Sequence, residues 1–270
     1  MPTQREQRRT EALPLQTLIG ERLVVTVRSL RSEDWARPTN CPPWLVKTIV
    51  AHLVRNAEMF NVMLDTGLSG GQTFPQTNEE RELRQKELGA MPNEALTQTF
   101  ESSHRDLRDR LAGLSAAELE QPCPHPRWLM PASWIVDQRV VELAFHNWDL
   151  ETSVGRDSEI DNDVAQYILP AILENNLPLF RRSGVANPGS WSIHATGAPD
   201  ATWLIRSSED GATISRQADA ADVAIEGDAA GLARWLYGRA DLSELEAMGR
   251  VTVQGDRSRA NSWRETFPSP

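Results

Sequence analysis

Apolar positions recur at helical spacing through the first two thirds of the chain. Leu15, Leu18, Ile19, Leu23, Val27 and Leu30 form a 3.6-residue stripe, which predicts a helix from about Leu13 to Ser32. The loop from Arg37 to Pro43 ends it. A second helix follows, with Pro43 in its first turn and with Val46, Ile49, Val50, Leu53, Val54 and Ala57 on one face; it stops near Gly67 or Gly70-Gly71. Further helices are predicted for about Asn78 to Gly89, Asn93 to Leu114, Ala132 to Ser153 and Asp161 to Phe180. The Pro-rich run from Pro122 to Pro131 separates the middle pair. The pattern changes at Ser183-Gly184. Ser190 to Ala195, Thr202 to Arg206 and Asp222 to Glu226 alternate apolar and polar residues as half-buried strands do. Ala229 to Tyr237 reads as helix and Val251 to Val253 as a short strand. The expected architecture is therefore a helix bundle over residues 13–184 and a smaller α+β domain over residues 185–270, behind a frayed tail of residues 1–12.

Composition narrows the function classes. A formal net charge of −10 argues against a nucleic-acid surface, which needs clustered Lys and Arg. No stretch reaches the roughly 18 apolar residues of a membrane helix, and the polar, arginine-bearing start is not a secretory signal. Cys41 and Cys123 make neither a zinc-finger spacing nor a disulfide framework, and both sit in Pro-flanked loops. A reducing, cytoplasmic setting is expected. Nine tryptophans mark core positions or pocket walls.

One pair of segments carries chemistry. In Glu142-Leu143-Ala144-Phe145-His146-Asn147-Trp148-Asp149, Glu142 and His146 stand one helical turn apart on one face, and Asp149 extends the stripe. His52 lies on another apolar helix, in Trp44-Leu45-Val46-Lys47-Thr48-Ile49-Val50-Ala51-His52-Leu53. Taken singly, a histidine on an apolar face is a packed core residue, and a Glu-x-x-x-His pair is a weak pattern. Taken together, a carboxylate within Val140 to Phe145 costs several kcal/mol to bury unpaired, and a cation shared with two imidazoles removes that cost. His104, His125 and His194 fit solvated or packing roles.

These segments resemble the hallmark stretches of the mycothiol-dependent maleylpyruvate isomerase family, within the DinB-like metal-binding four-helix-bundle superfamily. Trp44, Val46, Val50, Ala51, His52 and Leu53 follow its first pattern; Glu142, His146, Trp148 and Asp149 follow its second. Asp222 to Gly227, followed by Leu232 through Arg239, resembles its C-terminal domain. The resemblance spans about residues 12–260. It implies that His52, Glu142 and His146 bind a divalent metal, zinc by first expectation. It also implies that Asp149 acts beside the metal, and that Arg239 holds an anionic group of thiol or substrate. Trp44 and Trp148 are expected in the core. The cosubstrate implied is mycothiol, activated as a thiolate against a small electrophile, either in an isomerase reaction or in S-transfer. The partners expected are thus small molecules, with no nucleic acid and no membrane. The reading from another class is a non-catalytic metal-stabilised binding or sensor protein of the same fold.

Overall fold

The structure is a computed structural model, and it describes residues 2–180, 188–197, 201–217 and 219–268. The chain forms two compact units, Met1–Glu159 and Ile160–Pro270.

In the first unit four long helices make a bundle: α1 (Gln4–Arg28), α2 (Val46–Leu68), α4 (Asn93–Gly113) and α6 (Ala132–Ser153). Each packs on two of the others, in the cyclic order α1, α6, α2, α4. The shorter α3 (Asn78–Ala90) leans on α2. The one-turn α5 (Ala116–Glu120) and a small antiparallel pair, β1 (Pro122–Pro124) and β2 (Leu129–Pro131), lead into α6. The interior is filled by residues at helical spacing, among them Leu23 and Val27 of α1, Ile49, Leu53 and Phe60 of α2, Phe100 and Leu107 of α4, and Val140, Val141 and Phe145 of α6.

Three sequence expectations need correction here. Residues 4–12 are not a frayed tail but the first turns of α1. Thr3 and Glu6 form a reciprocal capping box at its start. Arg5 pairs with Glu120 at 2.6 Å and Arg8 with Asp137 at 3.2 Å, so this polar stretch is tied down by charge where it has few apolar residues to bury. The stripe of α1 is also rotated: Ala12, Ile19, Leu23 and Val27 are buried with Gln16 and Gly20, while Leu18 is exposed. Gln16 is accommodated because its amide donates to the Val136 carbonyl at 2.9 Å. Pro43 likewise lies ahead of α2, whose N-cap is Leu45.

Gly67 ends α2 against the β1 segment. A Cβ there would stand 2.5 Å from Cys123 Sγ and 2.6 Å from the Pro122 carbonyl oxygen. Ala gains about 1 kcal/mol of helix propensity over Gly, but backbone cannot yield cheaply and overpacking costs about 1–3 kcal/mol. Gly67→Ala is therefore expected to lower stability by up to about 2 kcal/mol net, read as a shifted urea midpoint at unchanged slope.

His104 on α4 is a buried histidine packed against Gly20 and stacked on Phe100. Its Nδ1 has no partner among the described residues, and burial pushes its pKa down to about 3. The folded state then binds fewer protons than the unfolded one, so stability falls as the pH drops below 6.5 toward 3. Between pH 7.5 and 5 the stability of the wild type relative to His104→Gln should fall by about 2 kcal/mol. Paired denaturation curves at the two pH values check this, and a constant difference contradicts it.

The second unit opens with α7 (Asn162–Pro170), a π-helical segment (Ala171–Asn176) and α8 (Leu177–Phe180). Its sheet has five strands, β3 (Gly189–Ala195), β4 (Thr202–Ser208), β5 (Gly211–Ser215), β6 (Val223–Gly227) and β7 (Val251–Gly255), in the order β5-β4-β3-β6-β7. β3 and β6 run parallel and the other neighbours antiparallel. The alternation read from the sequence is visible in β6, where Val223, Ile225 and Gly227 are buried between exposed residues. The helix α9 (Ala229–Leu236) packs on α7, and Trp191, Trp235, Trp263 and Phe267 form an aromatic core. The boundary expected at Ser183-Gly184 lies outside the described residues. The units divide earlier, after Glu159, with α7 and α9 packed together in the second. No helix among the described residues is long and apolar enough to cross a membrane.

Candidate metal centre

Bundle packing brings α2 and α6 side by side, and with them three of the residues singled out above. His52 Nε2 lies 3.0 Å from Glu142 Oε2, and His146 Nε2 lies 3.5 Å from the same oxygen. One donor atom from each of the three residues falls within 4.8 Å of the other two. Metal bonds of about 2.05 Å in tetrahedral array place neighbouring donors about 3.4 Å apart, so the two nitrogen–oxygen separations suit a first-row divalent cation. The donor chemistry, two imidazoles and a carboxylate, suits zinc, iron or nickel alike.

The surrounding side chains fix how these groups face one another. Glu142 Oε1 accepts from the Gln138 amide at 3.1 Å, one turn earlier on α6, leaving Oε2 to the imidazoles. Burial opposes ionisation of Glu142, yet hydrogen bonds from His146 and His52 hold its carboxyl well below the usual range. Arg139 adds to this. Its guanidinium, 1% exposed, donates to the Leu53 carbonyl at 3.2 Å and to Asn56 Oδ1 at 2.8 Å, burying a positive charge one turn from Glu142.

His146 is held from its other side. Its Nδ1 stands 3.0 Å from Oδ2 of Asp149, which is fully buried. A carboxylate can only accept, so a proton belongs on Nδ1, and Nε2 is the nitrogen turned toward Glu142. Burial disfavours a charged His146 ring, but hydrogen bonds with Asp149, Cys41 and Glu142 raise its pKa well above the ordinary value. For His52 the balance goes the other way: burial outweighs the pull of Glu142 and lowers its pKa.

Two participants were not legible in the sequence. Cys41 Sγ lies 3.1 Å from the same Asp149 oxygen, so Cys41, Asp149 and His146 form a chain leading to the cluster. Trp44, expected in the core, is half-buried and lies over both imidazoles, with ring centroids 4.8 Å from His52 and 6.0 Å from His146. Both residues ride on the loop before α2. The Thr39 and Val46 amides donate to the Trp44 and Arg37 carbonyls, at 3.1 and 3.0 Å, and Asn40 reaches Thr152 of α6 at 2.9 Å. The only sequence signal was the compact Cys41-Pro42-Pro43-Trp44 run placed just ahead of the His52 helix. Trp148, by contrast, is a core residue, with its indole N–H on the Ser158 carbonyl at 3.0 Å.

Other residues singled out in the sequence have the following partners. Arg239 belongs to the second unit, where its guanidinium donates to the Tyr237 carbonyl at 2.8 Å. His194 hydrogen-bonds with Thr202 across β3 and β4, and His125 stacks on Trp128. Cys123 is buried against α2, and burial pushes its thiol up to about 11, which suits packing rather than reactivity.

Comparison with known proteins gives this arrangement a family. The profile of the mycothiol maleylpyruvate isomerase N-terminal domain matches residues 17–151, half of the chain, and that of the SCP-2 sterol transfer family matches residues 189–268. No curated protein sequence matches. A crystal structure of a mycothiol-dependent maleylpyruvate isomerase aligns with a TM-score of 0.65 at 17% identity, covering 91% of this chain and 92% of that one. A mutant form of a mycothiol-dependent maleylpyruvate isomerase, with a histidine replaced by alanine, aligns at 0.65 and 16% identity over the same shares. The solved structures share the fold, and the family match covers the bundle helices that carry His52, Glu142, His146 and Asp149: the chain belongs to the mycothiol maleylpyruvate isomerase family.

Proposed function

We propose that the protein is a metal- and mycothiol-dependent enzyme acting on a small electrophilic substrate, and that His52, Glu142 and His146 hold its divalent cation, with zinc as the first candidate. The observation that carries this reading is the convergence of two imidazole nitrogens on one carboxylate oxygen, from two different helices. A divalent cation bound there lowers the pKa of an entering thiol, so that a sulfur nucleophile forms at neutral pH.

The chain's own residues prepare that chemistry. Gln138 occupies one oxygen of Glu142 and leaves the other for binding. Asp149 keeps the proton of His146 on Nδ1, so that Nε2 stays a ligand. Trp44 covers the two rings and reduces the access of water to them. None of the ligands is a cysteine, which leaves the sulfur to the cosubstrate. The reaction class is thiol addition to an activated double bond followed by rotation and elimination, a cis–trans isomerisation of the maleylpyruvate type. Transfer of the sulfur to another small electrophile uses the same nucleophile. To Arg239 we assign, on the family resemblance, the pairing with a carboxylate of thiol or substrate, for which a guanidinium fork is suited.

The test is a turnover assay on zinc-loaded protein, following loss of mycothiol with monobromobimane and isomerisation with maleylpyruvate. Thiol-dependent turnover of at least one of the two is expected, and it should vanish in His52→Ala. A folded, zinc-replete protein inert toward both would contradict the reading.

A further inference from the structure

Several arginines of the first unit face a carboxylate; Arg5, Arg8, Arg28, Arg84 and Arg110 are examples. Arg55 does not. It is half-buried on α2, one turn after His52, and among the described residues no carboxylate lies within ion-pair distance of it. The nearby Glu58 is taken by Arg84, at 2.6 and 3.0 Å. Instead the Arg55 Nε donates to Gln85 Oε1 at 2.9 Å, and its Nη2 stands 3.3 Å from His52 Nδ1. Gln85 is itself anchored to the Thr48 carbonyl at 3.3 Å, so α3 holds the guanidinium at the edge of the cluster. Glu142 and Glu58 bear on Arg55 only from beyond ion-pair distance, so its guanidinium is held by neutral groups alone.

Other cations gather at the same edge. Arg81 of α3 bears electrostatically on both Arg55 and His125, and its own guanidinium is bonded to the Gln76 carbonyl and Asn78 rather than to a carboxylate. Arg127 lies over the Trp128 ring at 4.6 Å and bears on His125 as well. Arg55, Arg81 and Arg127 make no ion pair among the described residues, which leaves three guanidinium groups for an anion in a protein of net charge −10.

We propose that Arg55 is a substrate-binding residue that docks a carboxylate of a small organic acid beside His52, an inference that rests on the metal-centre reading above. Arg55 Nη2 stands 3.3 Å from His52 Nδ1, so an anion held by the guanidinium lies against the His52 ring. A guanidinium offers two parallel N–H groups to such an anion, which fixes its orientation as well as its position.

The experiment is calorimetric titration of maleate and of its uncharged dimethyl ester into the full-length wild type, Arg55→Gln and Arg55→Lys, with zinc content measured on every sample. Maleate should bind the wild type and the ester should not. Arg55→Gln should bind maleate at least tenfold more weakly at unchanged zinc content, with Arg55→Lys in between. Equal maleate affinity in wild type and Arg55→Gln overturns the proposal, as does ester binding equal to that of maleate, or no maleate binding by the wild type. Loss of zinc from the wild type would instead count against the metal-centre reading, so the two failures are told apart.

Discussion

Glu142→Gln should leave the bundle folded and strip it of its divalent cation. Among the described residues Glu142 is the only carboxylate that both imidazoles face, at 3.0 and 3.5 Å, and it carries the one negative charge of the proposed ligand set. The amide keeps the size and can still exchange a hydrogen bond with Gln138, so packing survives. What is lost is the charge that offsets the cation and, with it, the buried Arg139. Cation affinity should therefore fall by more than the roughly 10- to 100-fold that changes outside the ligand set produce. Thermal stability of the metal-free protein should fall as well, by about 1–3 kcal/mol, because Arg139 then lacks its nearest negative charge. Competition with a chromophoric chelator measures the affinity, and a variant that competes as well as the wild type would exclude Glu142 as a ligand.

Asp149→Asn probes the support of the site instead of its ligands. The replacement is nearly isosteric and fully buried, so it disturbs little apolar packing. Asp149 accepts from both His146 Nδ1, at 3.0 Å, and the Cys41 thiol, at 3.1 Å. An uncharged amide oxygen accepts these two hydrogen bonds more weakly than a carboxylate oxygen, and the NH2 group can turn toward Nδ1 instead. That turn would move the imidazole proton to Nε2, the atom needed for binding. Cation affinity should drop about 10- to 100-fold while the fold and the three ligands stay in place. Cys41→Ser, which keeps a donor toward Asp149, should change affinity far less than Asp149→Asn. Equal losses in the two variants, or none in Asp149→Asn, would argue that the chain through Asp149 does not orient His146.

The bundle was legible because it rests on periodicity, and the four-residue spacing puts Glu142 and His146 on one face of α6. That His52 joins them was implied by the family resemblance, since a stripe does not say which helices adjoin. The start of α1 was not legible for the opposite reason. Residues 4–12 are polar almost all round, and what orders them is a capping box and ion pairs to Glu120 and Asp137, partners more than a hundred residues away. Short elements such as α5, β1, β2 and β5 are likewise set by their neighbours, with too few residues to show a period. Cys41 and Trp44 escaped notice because a loop has no period at all; they reach the cluster only because that loop folds back on α6 through Asn40 and Thr152. Arg55 sits in plain view one turn after His52, yet its importance lies in a missing partner, which only the packed arrangement of Glu58, Arg84 and Gln85 reveals.

The visible absorption spectrum of the cobalt(II)-loaded protein, recorded before and after adding mycothiol, probes the ligand cluster most directly. The account predicts intense low-coordinate cobalt bands that gain a sulfur-to-cobalt charge-transfer feature with thiol, and neither in His52→Ala. Weak bands of hydrated cobalt, unchanged by thiol and identical in wild type and His52→Ala, would contradict it.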